Sequence, residues 1–464
     1  EMTSSLVGSE MCIRDRLKKN DKIELNITAL TSEGSGIGRY DSLAVFVRGT
    51  VPGDTIIAHI IKVNKSYAIG IIDQLLVPSP DRRESNCSVS SKCGGCSFRN
   101  VDYPAELKFK QSRVDDAFRR IGHLDLKTEF ILGAEKTEGY RNKAQYPVRI
   151  ENGMLTAGFY AYKSHRVVPC AECRLQNEVF AQGLKAFEIW VKENSITAYD
   201  EKTGKGFLRH IYFRIGAGTG EVMACAVING KKMPAALRLC ELLRNYVPGL
   251  AGVLYNINTE DTNVILGKKF VTLWGSETIT DILCGKKFII SPASFYQVNH
   301  DQCERLYELA ASYAGLSGNE TLLDLYCGAG TIGISMADKC KRLIGVEIVA
   351  DAVENAKKNA EINNVGNARF ICADAPKAAK QLAEEGIQPD VVVLDPPRKG
   401  CDSAVFDAVE QMGAKRIVYV SCDPATLARD LAILKEKGYE PIKAAAVDMF
   451  PRTPHVETVA LIEK

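Results

Sequence analysis

The chain has no apolar run near the roughly 18 residues that a membrane-crossing helix needs, so a helical membrane protein is excluded. It has no internal repeat and no low-complexity segment, which excludes a repeat array. The opening stretch, EMTSSLVGSEMCIRDR, lacks the basic-then-apolar order of a secretion signal, and it lacks periodicity too. Residues 1–16 are therefore expected to be non-native or disordered, Cys12 among them. Charge of one sign is also scarce, with 59 Lys+Arg against 57 Asp+Glu and a net charge of +2. That balance hides an asymmetry. Residues 1–280 hold 38 basic against 31 acidic side chains, and residues 281–464 hold 21 against 26. A basic front half suits an anionic partner, although a solvated surface reads the same way.

What is present is globular in kind. Hydrophobic residues make up 46% and charged residues 25%. A length of 464 residues exceeds one ordinary core and predicts two or three domains. Fifteen cysteines, an odd number without a secretion signal, predict a reducing, cytoplasmic setting. Nothing asks for a membrane or an obligate protein partner.

Short alternating β segments fill residues 17–77 (KIELNITAL, SLAVFVRGTV, DTIIAHIIKV, YAIGIIDQLL), broken by GSGIG and VPGD. The spacing resembles the TRAM domain, an OB-like RNA-binding barrel. VPSPDRRESN has the composition of a linker, and residues 78–285 read as a central α+β domain. Within it, residues 104–121 form an amphipathic helix opened by proline, which could pack on the catalytic domain. GAGTG there joins strand to strand and reads as a hairpin turn. Residues 286–464 alternate β and α, which indicates a parallel sheet covered on both faces.

In that last region LLDLYCGAGTIG runs a buried strand into Gly328-x-Gly330-x-x-Gly333. Glycines there let the backbone turn tightly against a nucleotide. Glu347 ends the next strand, nineteen residues after Gly328, where a carboxylate can hold both ribose hydroxyls. This fits a nicotinamide cofactor and S-adenosylmethionine equally. VVVLDPPRKG breaks the tie. It places Asp395 and two prolines at the carboxyl end of a buried strand. The result is a rigid, donor-poor loop suited to a planar base.

RIVYVSC delivers Cys422 to the same edge, with Asp423 and Pro424 opening a helix. A thiol at a helix amino terminus is expected to have a lowered pKa. Such a thiolate could add to carbon 6 of uracil and make carbon 5 nucleophilic, after which a base must take the carbon 5 proton. Glu457 and His455 near the end of the chain are candidates for that base. Asp423 is a third, better suited to capping its helix.

SFYQVN, DLYCGAG, GVE, LDPPRKG, YVSCDPATLARD and DMFPRTPHVE, in this order, resemble the RNA uracil-5-methyltransferases, in particular the bacterial 23S rRNA (uracil-5-)-methyltransferases. The likeness runs from residue 17 to the carboxyl terminus. It implies a class I methyltransferase (Rossmann-like) α/β fold over residues 286–464, behind the TRAM barrel and the central domain. It implies Cys422 as nucleophile and Glu457 as base, with Gln297, Tyr326, Glu347 and Asp395 holding S-adenosylmethionine. Asp374 is a weaker candidate for the adenine end.

The cysteines past the linker allow two readings. Cys93-Gly-Gly-Cys96 with Cys170-Ala-Glu-Cys173 would make a zinc site. The resemblance instead implies a [4Fe–4S] cluster on Cys87, Cys93, Cys96 and Cys173. Basic residues surround these cysteines, nine against five acids over 82–120 and six against two over 136–166, as RNA phosphates would require. The expected substrate is a uridine of 23S rRNA. A tRNA T-loop uridine is the alternative, and the rivals from other classes are a nicotinamide-dependent dehydrogenase and an inert RNA-binding or ribosome-assembly factor.

Overall fold

A computed structural model describes residues 17–464, so the expectation for residues 1–16 lies outside the described residues. They form two compact units. One runs to Phe109 and includes Phe450–Pro454; the other holds Lys110–Met449 and His455–Lys464.

In the first unit, β1 (Lys22–Leu30), β2 (Ser35–Tyr40), β3 (Leu43–Arg48), β4 (Thr55–Val63) and β5 (Tyr67–Val77) close into a barrel in the order β1-β2-β3-β5-β4. Alternation explains it. Every second residue of β1 and β3 points inward, and Leu25, Val45, Val47, Ile56 and Ile60 fill the interior. The presumed linker is anchored. Asp54 accepts hydrogen bonds from the backbone N–H of Val51 (2.6 Å) and of Ser79 (2.9 Å), and pairs with Arg82 at 2.6 Å. The end of the chain also returns to this unit, where the Arg452 N–H donates to Glu106 at 2.7 Å.

Helix α1 (Tyr103–Arg120) begins with Pro104 in its first turn. In the second unit its Val114, Ala117 and Phe118 are buried in the core of the carboxyl-terminal sheet, and Lys110 forms a fully buried ion pair with Asp448 at 2.6 Å. β6 (Thr128–Leu132) follows. A seven-stranded sheet is built next from β7 (Lys143–Glu151), β8 (Met154–Tyr160), β9 (Val167–Pro169), β10 (Leu208–Ile215), β11 (Val222–Ile228), β12 (Leu250–Ile257) and β13 (Lys269–Gly275). Its order is β13-β12-β11-β10-β7-β8-β9. One face buries Phe213, Phe180, Phe187 and Trp190 with helices α2 (Val179–Glu193) and α3 (Ala236–Tyr246). GAGTG is the connection between the antiparallel β10 and β11, a hairpin as expected. A two-stranded sheet of β14 (Ile279–Leu283) and β15 (Lys286–Ile290) comes before helix α4 (His300–Ala314).

An eight-stranded sheet takes β6 together with β16 (Thr321–Leu325), β17 (Arg342–Glu347), β18 (Ala368–Cys372), β19 (Val391–Leu394), β20 (Arg416–Ser421), β21 (Glu440–Val447) and β22 (Glu457–Glu463). Helices α5 (Thr331–Met336), α6 (Ala350–Ile362), α7 (Ala375–Glu384), α8 (Ser403–Gln411) and α9 (Pro424–Glu436) connect them. The order is β18-β17-β16-β19-β20-β22-β21-β6, parallel from β18 to β20, with β22 antiparallel to both neighbours. The strand order reverses between β16 and β19, which is where open α/β sheets bind their ligands. β6, from the stretch read as central domain, adds an edge strand beside β21, pairing Leu132 with Val447. Among the described residues no helix is long and apolar enough to cross a membrane.

Candidate active site

Parallel register levels the ends of three strands. Leu325 pairs with both Val346 and Leu394, so Tyr326, Glu347 and Asp395 come next at one height on the carboxyl edge. Tyr326 turns the chain with φ 67°, and Gly328 and Gly330 continue in the left-handed region at 55° and 81°. At Gly333 a side chain has no room. A Cβ there would meet Asp324 Oδ2 at 2.8 Å, and its absence lets the Gly333 N–H donate to that oxygen at 2.9 Å. A Cβ at Gly328 would meet nothing within 4 Å, so the turn faces open space.

The Glu347 carboxylate is held by two backbone donors, the N–H of Gly328 at 3.1 Å and of Val349 at 2.9 Å. Exposed Ile348 and Val349 flank it, an apolar surface that sequence reasoning missed. Glu347, a carboxylate able to accept from ribose hydroxyls, beside an open glycine turn is what a nucleoside-bearing cofactor needs, so the residues fit S-adenosylmethionine. Asp324 lies beneath this turn, buried, with Oδ1 lacking a hydrogen-bond partner. Burial, opposed by the Gly333 N–H, pushes its carboxyl up to about 8. Asp374 precedes α7 and, with Asp402, faces the Tyr326 hydroxyl, which burial and Cys401 push upward. Gln297 sits half-buried on the loop before α4, its carbonyl accepting from Asn142 Nδ2 at 2.8 Å.

Cys422 and Glu457 meet through the β20–β22 ladder. Its register pairs Ser421 with Thr458, so the next position sets Cys422 opposite Glu457. Glu457 is buried, and burial together with Asp395 pushes its carboxyl up to about 8 against the pull of Arg398. Asp395 itself is pushed up to about 7 by burial. The Asp-Pro-Pro loop is braced from α9: Thr426 Oγ1 donates to the Arg398 carbonyl at 3.0 Å, and Arg429 to that of Lys399 at 2.9 Å.

One expectation is corrected here. The Cys422 thiol is not lowered but pushed up to about 11, by burial first and then by Glu457 and Asp395. The helix terminus does not compensate, because Asp423 Oδ1 already accepts from the N–H groups of Ala425 and Thr426, each at 3.0 Å. Asp423 is thus the helix cap. His455 is exposed; the protein on its inner flank and the cations Arg398, Arg113, Lys110 and Arg141 hold its pKa down to about 4. At rest the edge holds the raised Cys422 thiol and the raised Glu457 carboxyl, with Arg398 acting on both, a part the sequence did not reveal.

Cys87, Cys93 and Cys96 belong to the first unit and Cys170 and Cys173 to the second, all five half-buried. Among the described residues, no three His, Cys, Asp or Glu side chains gather closely enough to hold a metal ion. Within the first unit Cys93 Sγ accepts from the Gly95 N–H at 3.4 Å and Cys96 Sγ from the Arg99 guanidinium at 3.8 Å. Donors of this kind suit thiolate ligands.

Residues 267–464 match the family model described as tRNA (Uracil-5-)-methyltransferase, and residues 16–72 match the TRAM domain. An uncharacterized RNA methyltransferase of Clostridium tetani is 43% identical over 446 residues, 96% of this chain and 97% of the relative. One of Clostridium acetobutylicum is 44% identical over 451 residues, 97% and 98%. The crystal structure of the Pyrococcus abyssi tRNA (uracil-54, C5)-methyltransferase with S-adenosyl-L-homocysteine is similar at a TM-score of 0.77 and 28% identity, covering 95% of this chain and 100% of that one. With the fold, the barrel and all three comparisons in agreement, this chain belongs to the S-adenosylmethionine-dependent RNA uracil-5-methyltransferase family.

Proposed function

We propose that the chain methylates carbon 5 of a uridine in 23S rRNA, in the cytoplasm, with Cys422 as nucleophile and Glu457 as base. The observation that carries the reading is the register that sets Cys422 opposite Glu457 beside Asp395. Gln297, Tyr326, Glu347 and Asp395 would hold S-adenosylmethionine, which when bound supplies the methyl group as an electrophile. The Cys422 thiol first gives its proton to solvent; the thiolate sulfur then bonds to carbon 6 of the flipped-out uracil, and the carbon 5–carbon 6 electron pair shifts to make carbon 5 nucleophilic. Once carbon 5 is methylated, the Glu457 carboxylate takes the carbon 5 proton. The carbon 6–sulfur bond then breaks and restores the thiolate.

A transcript of 23S rRNA carrying 5-fluorouridine tests this, because fluorine leaves no carbon 5 proton to remove. Wild type with cofactor should form an adduct that survives a denaturing gel, and Cys422→Ala should form none. An equal adduct from that variant would sink the mechanism.

The second reading, a tRNA T-loop uridine, draws support from the matched family description and from the Pyrococcus abyssi enzyme. The same trap run with tRNA transcripts, beside 5-methyluridine mapping after gene deletion, separates the two. We also propose that Cys87, Cys93, Cys96 and Cys173 ligate a [4Fe–4S] cluster, with Cys170 an additional thiol. Protein purified without oxygen should be brown and release iron. Colourless protein with stoichiometric zinc would assign the site to zinc instead.

A further inference from the structure

The face of the seven-stranded sheet turned away from its aromatic core carries a charge arrangement that the uracil chemistry does not use. Arg214 on β10 and Lys143 on β7 are direct cross-strand partners, so two cations stand side by side on one face. Arg214 is fully buried. Its Nη1 donates to the carbonyls of Ser291 (2.9 Å) and Ser294 (2.8 Å), while Nε and Nη2 have no hydrogen-bond partner. Arg141, two residues before Lys143, adds a third cation. Among the described residues none of the three stands in an ion pair. Lys143 is half-buried and so open to solvent on one side. Burial and the two guanidiniums push its ammonium down to about 8, a further sign that no anion is at hand.

Like charges directly opposite each other on a sheet are destabilising, and an unpaired buried guanidinium adds its own desolvation penalty. Such an arrangement persists where a ligand provides the missing charge. The neighbourhood says which ligand. The Asn142 N–H donates to the Val298 carbonyl at 2.9 Å and Asn142 Nδ2 to that of Gln297 at 2.8 Å, so the cationic strand is stitched to the loop that carries Gln297. Arg141 also acts on His455, two residues from Glu457. An anion held here would lie next to the pyrimidine site.

We infer that Arg214, Lys143 and Arg141 form a subsite for a backbone phosphate of the RNA at or beside the target uridine. This rests on the reading of the substrate as RNA. Arg214 is the fixed wall, held by the Ser291 and Ser294 carbonyls. Lys143 and Arg141 are the accessible arms.

The test uses the full chain, the 23S rRNA and tRNA transcripts carrying 5-fluorouridine, and four proteins: wild type, Lys143→Met, Lys143→Arg and the control Lys380→Ala on α7. Lys143→Met should weaken binding about tenfold, the size of one lost charge-assisted hydrogen bond. It should also make the slope of log affinity against log salt shallower by about 0.7 to 0.9. Relief of the like-charge pair should raise its Tm without RNA. Lys143→Arg should restore affinity and slope, and Lys380→Ala should change neither. Unchanged affinity and slope in Lys143→Met overturns the subsite, and so does a lowered Tm accompanying weaker binding, which would mean a structural role. If wild type traps neither transcript, the uracil-5 reading has failed, and the binding comparison on the same transcripts still decides the subsite.

Discussion

The carboxyl edge of the eight-stranded sheet and the face of the β7–β10 pair turned away from its aromatic core hold opposite halves of one problem. The edge gathers acids with little cation to match them: Asp324, Asp395 and Glu457 are pushed up to about 8, 7 and 8, chiefly by burial. The β7–β10 face gathers Arg214, Lys143 and Arg141, none of them in an ion pair among the described residues, with Lys143 pushed down to about 8. In ordinary structural positions such charges are paired, as Lys110 is with Asp448 and Arg82 with Asp54. Unpaired, they mark where the molecule awaits something of the other sign. On the proposed reading these are a cationic cofactor at the one and a polyanionic RNA at the other.

The largest expected effects break the acidic half. Cys422→Ala should lower methylation at least about a thousandfold while leaving fold and cofactor binding intact, since only the covalent route is lost. Methyl transfer assays beside circular dichroism would check it, and residual turnover near wild type would remove the thiol from the mechanism. Glu457→Gln keeps the shape and removes the base. It should slow turnover by about a hundredfold to ten-thousandfold. It should also accumulate a covalent complex with ordinary RNA, because addition proceeds and elimination stalls. Since Glu457 must be ionised to accept the proton, wild-type turnover should rise with pH through about 8. A flat profile from pH 6.5 to 9 would contradict that role.

The two halves differ in how far the sequence disclosed them. The acidic edge was readable because its residues end strands: Glu347, Asp395 and Cys422 each follow a hydrophobic run, and parallel pairing brings such ends together. The pKa of Cys422 was not. Helix-terminus reasoning treated the dipole as unspent, whereas Asp423 uses its first N–H groups and two further carboxyls face the sulfur. The cationic face was illegible for another reason. Arg214 and Lys143 are 71 positions apart (214 minus 143), and only strand register makes them neighbours. β6 escaped notice likewise, since a five-residue edge strand carries little periodicity of its own.

A smaller effect sharpens the comparison by separating burial from chemistry. Asp324 sits under the glycine turn and takes no part in the proposed proton transfers, yet its carboxyl is pushed from the ordinary 3.8 up to about 8. Its folded-state pKa exceeds the unfolded one, so the folded state binds more protons between those values. The stability this provides is complete below about pH 4 and is lost as pH rises through about 8. Asp324→Asn cannot ionise, so its stability should vary less over that range than that of wild type. Oδ2 accepts the Gly333 N–H, which the Asn oxygen can still do, while the new amide N–H group replaces an oxygen that had no partner. Some loss of stability at pH 5 is therefore expected alongside a flatter profile, with the two proteins converging towards pH 8. Chemical denaturation at pH 5, 6.5 and 8 measures it. Parallel curves for the two proteins would mean that Asp324 is already ionised in the fold, and that the acidic edge is less starved of cations than the opposite face is of acids.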